Sequence, residues 1–111
     1  MLVPASILML ASQLVIAVAD DVPNFNIARG CKVDSTAAFD LNAGLNETIK
    51  RCVGDEQKAK DQLQAQWSEF TVADRKMCGG EVTDDSSIPP SYVELLVCLQ
   101  DQQLARKLPK Q

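Results

Sequence analysis

The sequence predicts a small all-α domain held together by disulfides, and three observations carry that prediction. An uncharged apolar stretch opens the chain, four cysteines are spread along the remainder, and the segments between them show helical periodicity. No segment shows the apolar-polar alternation of a half-buried strand. We therefore expect a signal peptide over residues 1–19, followed by a single disulfide-stabilised helical domain over residues 20–111.

The opening stretch ends in Ala17-Val18-Ala19, and its few positions that are not apolar are Pro4, Ser6, Ser12 and Gln13. Small residues at positions −3 and −1 after an apolar core are typical of a signal peptide, which predicts cleavage between Ala19 and Asp20. The stretch lacks the usual initial Lys or Arg, but it is shorter than the ~20 residues of a membrane span. We expect a periplasmic or extracellular protein without an integral membrane anchor after processing.

The first helical pattern follows an irregular lead-in over residues 20–34. Asp34-Ser35 is a potential cap for a short helix over residues 36–39. A long helix over about residues 43–70 is then predicted by a stripe at alternating spacings of four and three, made by Leu45, Ile49, Cys52, Glu56, Ala59, Leu63, Gln66 or Trp67, and Phe70. Gly54 lies off this stripe and is a potential break.

Two further helices are predicted from their capping signals. Thr71 with Asp74 resembles a capping box, so a short helix should cover about residues 71–79 and stop at Gly79-Gly80. The last helix, over about residues 90–107, has the strongest start signal, a capping box formed by Ser91 and Glu94 after two prolines. Its first two turns are apolar on nearly all sides, which indicates the buried centre of the domain.

The cysteines are interpreted as two disulfides. An even number of cysteines in a small exported chain is typical of a disulfide framework, and four cysteines allow three connectivities. We favour Cys31–Cys52 and Cys78–Cys98. Along the long helix Cys52 would lie ~27 Å from its end, whereas the short helix that leads to Cys78 covers only ~10 Å, so those two cysteines should not meet. Each bridge would contribute roughly 3 kcal/mol.

The chain resembles a group of small four-cysteine exported helical proteins of Gram-negative bacteria to which no function has been assigned. The resemblance covers most of residues 31–108 and rests on the run from Cys52 to Leu63, on Trp67-x-x-Phe70, on Asp74-Arg75-x-x-Cys78, on residues 90–95 and on Cys98-Leu99. It implies export and a helical fold. A weaker resemblance is to exported lysozyme-inhibitor-like helical domains, although the interval from Cys52 to Cys78 is shorter here by about a helical hairpin, and no inhibitory residue transfers.

The sequence contains no recognisable catalytic, cofactor or metal constellation. Histidine is absent, which excludes Ser-His-Asp and Cys-His arrangements, and no phosphate-binding glycine loop occurs. The net charge of −4, with bases interleaved among acids, argues against nucleic-acid binding. Glu56 is the one carboxylate expected to be partly buried, and we interpret it as paired with a lysine or arginine or lying at the edge of the stripe. Asp84-Asp85 is interpreted as a solvated loop pair.

These observations favour a non-enzymatic exported interaction or structural protein. The expected contact surfaces are the loop over residues 79–90 and the exposed face of the long helix, facing an unknown protein partner. Two alternatives stay open: an inhibitor of a cell-wall hydrolase, and a carrier of a small apolar ligand held between the helices. Trp67 and Phe70 lie on the apolar stripe and are interpreted as packing residues. The sequence does not define an oligomeric state.

Overall fold

The computed structural model describes residues 21–38 and 44–109, and within them every regular element is helical. The predicted signal peptide and its cleavage position, Ala19 to Asp20, lie outside the described residues. The helices are α1 (Ile27–Ala38), α2 (Leu45–Gln66), α3 (Val72–Thr83) and α4 (Tyr92–Lys107), with a 3₁₀ turn over Trp67–Glu69 between α2 and α3. The prediction of a small, disulfide-stapled all-α domain is confirmed.

Helix α1 begins earlier than predicted. The side chain of Asn26 caps it, because its Oδ1 accepts a hydrogen bond from the backbone N–H of Arg29 at 3.1 Å, and the Asn26 carbonyl accepts from Gly30 N at 3.0 Å. Residues 21–26 are irregular, as the sequence predicts, but the same interpretation was wrong for residues 27–34, which are helical. Helix α1 includes residues 36–38 of the predicted short helix, and residue 39 lies outside the described residues. Asn26 satisfies the first free amides of a helix that already includes Gly30 and Cys31.

Helix α2 is continuous through Gly54, so the potential break is not used. It starts after Gly44, whose φ of 82° lies in the left-handed region that glycine adopts at no steric cost. It ends four residues before the predicted boundary, because residues 67–69 tighten into a 3₁₀ turn and Phe70 is extended. Glu56, Ala59 and Leu63 form its buried face.

Helix α3 is longer than predicted. Thr71 caps it as expected, accepting a hydrogen bond from Asp74 N at 3.1 Å, but the helix continues through Gly79-Gly80 to Thr83. The predicted stop was wrong because neither glycine takes a positive φ, the conformation by which a glycine ends a helix. The Thr83 hydroxyl donates to the Gly79 carbonyl at 2.8 Å, and the helix ends there.

Helix α4 forms the centre of the core, as its sequence predicts. Ser91 caps it by accepting from Glu94 N at 3.3 Å. Its residues Tyr92, Leu95 and Leu99 are fully buried. They pack with Leu96 and with residues of α2, α3 and the segment between them, namely Ala59, Leu63, Phe70 and Cys78. Burial of each leucine or phenylalanine in this set stabilises the fold by roughly 1.5–3 kcal/mol.

Disulfides join Cys31 to Cys52 and Cys78 to Cys98, the two pairs that the helix layout favoured. The first links α1 to α2 and the second links α3 to α4. Helix α2 also packs against α4, so the four helices form a connected chain of contacts, α1 to α2 to α4 to α3. None of the helices among the described residues combines the length and the apolarity that crossing a bilayer requires.

Candidate functional site

An open concavity lies between α1 and the loop that leads into α4. Asn26, Arg29 and Val33 form one wall, and Thr83 with residues 85–90 forms the other. We call this concavity, defined by those residues, the α1–loop groove. Its volume is about 220 Å³ and its lining is mixed polar and apolar.

Helix α1 contacts the loop at Gly30, next to Arg29 of the groove wall. Gly30 is buried there, and a Cβ at this position would lie 3.6 Å from the Cβ of Pro89 and 4.0 Å from the Pro90 carbonyl. The adjacent Cys31 is also buried and is bonded to Cys52, which fixes α1 on the long helix. The groove therefore has a wall that is covalently attached to the scaffold.

The opposite wall is ordered by Asp85. Its carboxylate accepts hydrogen bonds from the Ser87 hydroxyl at 2.6 Å and from Ser87 N at 2.9 Å. Both hydrogen bonds hold the pKa of Asp85 below its ordinary value, and the bond from the Ser87 hydroxyl has the larger effect. The carboxylate is therefore ionised at neutral pH. Ile88 N also donates to the Asp85 carbonyl at 3.1 Å, closing a turn that presents the Ile88 side chain.

The groove combines the cation of Arg29 and the ionised carboxylate of Asp85 with exposed apolar side chains. The Arg29 side chain is exposed, and its guanidinium forms no ion pair or hydrogen bond within residues 21–38 and 44–109. Val33 and Ile88 keep 46% and 55% of their surface exposed on the two walls. Exposed apolar side chains beside an unpaired cation are typical of a surface that binds another molecule.

Part of this site was predicted and part was missed. The loop over residues 79–90 was an expected contact surface, and its second half does line the groove, whereas residues 79–82 belong to α3. Arg29 and Val33 were missed because their segment was interpreted as irregular. The signal that could have found them is Asn26, a favoured N-cap residue directly before Ile27.

Glu56 lies outside the groove and has a structural role at the contact between α2 and the start of α4. It is 9% exposed, and its two oxygens accept from the Ser91 hydroxyl at 2.5 Å and from Tyr92 N at 2.6 Å. Of the two expected positions, paired with a lysine or arginine or at the edge of the stripe, the pairing is not seen among the described residues, because Ser91 and Tyr92 engage both oxygens. The carboxylate instead satisfies a free amide of the first turn of α4, where negative charge is favourable.

A second buried carboxylate, Asp74, is also engaged within the fold. It forms a bidentate ion pair with Arg106, with Nη2–Oδ1 2.7 Å and Nε–Oδ2 3.0 Å. The hydrogen bond from Arg106 holds the pKa of Asp74 below its ordinary value despite burial, and the hydrogen bond with Thr71 has a smaller effect in the same direction. This pair joins the start of α3 to the end of α4.

A more open recess lies beside Trp67, and the Arg75 side chain in its lining is engaged by two neighbours. The Arg75 guanidinium carbon lies 5.5 Å from the centre of the Trp67 ring, and Arg75 Nε donates to the Phe70 carbonyl at 3.1 Å. Phe70 is buried in the core and Trp67 packs against it, in agreement with their interpretation as packing residues.

The described residues do not assemble a metal-binding cluster. Within residues 21–38 and 44–109, no three acidic, cysteine or histidine side chains converge on a common point. Every buried side-chain nitrogen or oxygen in that part of the chain has a hydrogen-bond partner. The loop carboxylates Asp84 and Asp85 are exposed, and Asp85 is engaged by Ser87.

Comparison with known proteins gives no match: no protein-family model, curated protein or solved structure is similar to this chain. The described residues therefore define a disulfide-stapled helical domain with an open, mixed-polarity groove.

Proposed function

We propose that this chain is an exported, non-enzymatic interaction protein that binds a protein partner in the α1–loop groove. The proposal rests on one observation: the Arg29 cation lines the same open groove as the exposed side chains of Val33 and Ile88. A partner segment with a carboxylate beside an aliphatic side chain would satisfy both features, through a charge-assisted hydrogen bond and apolar burial.

The shape of the groove favours a protein segment over a small apolar ligand. Its volume of about 220 Å³ is below the ~300–1,000 Å³ of most small-molecule sites, and polar atoms provide about half of its lining. An extended protein segment can bind in an open groove, because its backbone can form hydrogen bonds with exposed side chains such as those of Asn26 and Ser86. The disulfide that fixes the α1 wall to α2 lowers the entropic cost of binding such a segment.

Export is part of the same proposal. It is supported by the apolar stretch over residues 1–19, which ends in Ala17-Val18-Ala19, and by two disulfides of a kind that persists in oxidising compartments. The protein purified from the cells that produce it should begin at Asp20, which intact-mass measurement detects. A mass that includes residues 1–19 would contradict export by this route.

The binding proposal is tested by crosslinking capture from the envelope fraction of the native host. The wild-type protein is compared with Ile88→Asp, which places a charge on the apolar wall, and with Arg29→Glu, which reverses the cation. The matched control is Val72→Asp, because Val72 is exposed to the same 55% but lies on α3, outside the groove.

We expect one partner to be recovered with the wild-type protein and with Val72→Asp, and its yield to fall at least about tenfold with either groove variant. Circular dichroism of all four proteins should be the same, since every substituted position is exposed. Equal recovery with wild type and both groove variants would refute binding in this groove.

A further inference from the structure

The loop wall of the α1–loop groove carries a carboxylate that is held in place but only half used. Both hydrogen bonds from Ser87 go to Oδ1 of Asp85, at 2.9 Å from the backbone N–H and 2.6 Å from the hydroxyl. Oδ2 of the same carboxylate accepts no hydrogen bond from residues 21–38 and 44–109. Ser87 therefore positions the carboxylate and leaves one of its oxygens available to a ligand.

The charges of the two walls do not neutralise each other. Arg29 and Asp85 are exposed and both line the groove, yet no ion pair joins them in the described part of the chain. A purely acidic ligand would be repelled by Asp85, and a purely basic ligand would be repelled by Arg29. The groove is therefore complementary to a ligand that carries one charge of each sign.

The spacing of the α1 wall matches that of an extended peptide. Arg29 and Val33 are four residues apart on α1, so they lie on one side of the helix and about 6 Å apart along its axis. In an extended chain, side chains two residues apart point to the same side and are about 6.7 Å apart. An extended segment along α1 can thus place a carboxylate at Arg29 and an aliphatic side chain at Val33.

The alternation of an extended chain assigns the side chains that face the loop. The residue next to the acidic one points the opposite way, where a cation can donate to Oδ2 of Asp85. Two residues further along, an aliphatic side chain on the same side can pack on Ile88, which is 55% exposed. The groove is therefore complementary to four consecutive side chains in the order acidic, basic, aliphatic, aliphatic, or its reverse.

We propose that the partner segment bound in the α1–loop groove is an extended, mixed-charge peptide with an acidic, a basic and two aliphatic residues in succession. This inference rests on the binding function proposed for the groove and specifies the chemistry of its partner. Exposed charge pairs contribute little affinity each, so the order of the charges decides mainly which segment binds. An isolated peptide should bind with a dissociation constant of about 0.1–1 mM.

Two synthetic peptides with blocked ends test the order of the side chains, by NMR titration of the isotope-labelled, processed protein at low ionic strength. The matching peptide has the central sequence Glu-Lys-Leu-Val between serine and glycine flanks, and the control has Glu-Leu-Lys-Val in the same flanks. The two have the same composition, but the acidic and basic side chains of the control point to the same wall.

We expect the matching peptide to shift the amide signals of Arg29, Val33 and Ile88, and to bind about fivefold more tightly than the control peptide. Equal affinities of the two peptides would overturn the inference. Absence of binding by the matching peptide up to about 5 mM would also overturn it.

Asp85→Asn tests the loop carboxylate, because the amide oxygen can still accept from Ser87 while the negative charge is removed. The matched control is Asp84→Asn, since Asp84 is the exposed neighbour and does not line the groove. Asp85→Asn should weaken the matching peptide by about three- to fivefold, and it should not weaken a peptide whose lysine is replaced by glutamine. Asp84→Asn should bind both as the wild-type protein does. An equal loss for both peptides would show that Asp85 acts only through the shape of the loop, which would overturn the inference.

Partner capture separates this inference from the proposed function. We expect Asp85→Asn to lower the yield of the captured partner by about three- to fivefold, and Asp84→Asn to leave it unchanged. If Arg29→Glu and Ile88→Asp lose the partner while Asp85→Asn retains it fully, the mixed-charge inference fails and the proposed function stands. If none of these groove variants lowers the yield, the proposed function fails, and this inference fails with it.

Discussion

Replacement of Glu56 by alanine should cause one of the largest losses of stability available to a single polar substitution in this domain. The carboxylate accepts two short hydrogen bonds, from Ser91 Oγ and Tyr92 N, at a position that is 9% exposed. Hydrogen bonds to a charged group contribute roughly 1.5–3 kcal/mol each, and the Tyr92 amide would lose its acceptor in a buried position. The expected loss is about 3–4 kcal/mol.

Urea denaturation followed by circular dichroism measures this loss, with the disulfides kept intact. For a domain of this size the change corresponds to a decrease of about 12–30 °C in melting temperature. The matched control is Asp55→Ala, because Asp55 is the exposed neighbour of Glu56 on the same helix and should change the free energy of unfolding by less than about 0.5 kcal/mol.

The conservative variant Glu56→Gln should show an intermediate loss, because its amide oxygen can accept only one of the two bonds well. If Glu56→Ala and Asp55→Ala lose the same free energy, the carboxylate does not connect α2 to α4 as described.

Three further predictions concern other contacts. Asp74→Asn should lower stability at neutral pH. Because Arg106 holds the pKa of Asp74 below 3.8, this contribution is full above that pH and disappears as the pH falls through the lowered pKa. Chemical denaturation of both proteins at pH 7 and at about pH 2 checks this; a constant difference would contradict it. Gly80→Ala should raise the free energy of unfolding by about 0.5–1 kcal/mol, since Gly80 is helical and the alanine Cβ would have no other group within 4 Å. A lower free energy of unfolding would contradict this and would indicate that the added methyl group clashes with a neighbour. Tyr92→Phe should lower the free energy of unfolding by about 1–2 kcal/mol, because the hydroxyl donates to the Pro23 carbonyl at 2.8 Å. Hydrogen exchange over residues 21–26 should become faster, and unchanged exchange would show that the hydroxyl does not hold this segment.

Much of the fold could be predicted because its signals are local. The start of α4 is encoded within a few residues, by the prolines before Ser91 and by the capping pair of Ser91 with Glu94. The apolar stripe of α2 repeats over several turns, which made its type and face clear. Local signals of this kind predict a helix without information about what the helix packs against.

The errors arose where tertiary contacts decide the outcome. Helix α3 continues through Gly79-Gly80, while Cys78 is bonded to Cys98 and Val82 packs against the core on either side of the glycines. These contacts stabilise the helix on both sides of two residues of low helix propensity, which local signals alone interpret as a stop.

The groove and the partner of Glu56 could not be predicted from local patterns either. Ser91 lies 35 residues from Glu56, and only the register of α2 against α4 brings them together. Likewise, Arg29 and Ile88 line one groove because α1 packs against the loop at Pro89, a contact between segments that are far apart in sequence.

The central claim, that the α1–loop groove binds the protein partner, is tested most directly by hydrogen–deuterium exchange of the chain with and without the captured partner. We predict slower exchange on binding over residues 26–33 and 83–90, with no change over residues 47–61 on the exposed face of α2. Protection confined to residues 47–61 would contradict the claim and would place the contact on the other surface that the sequence indicates.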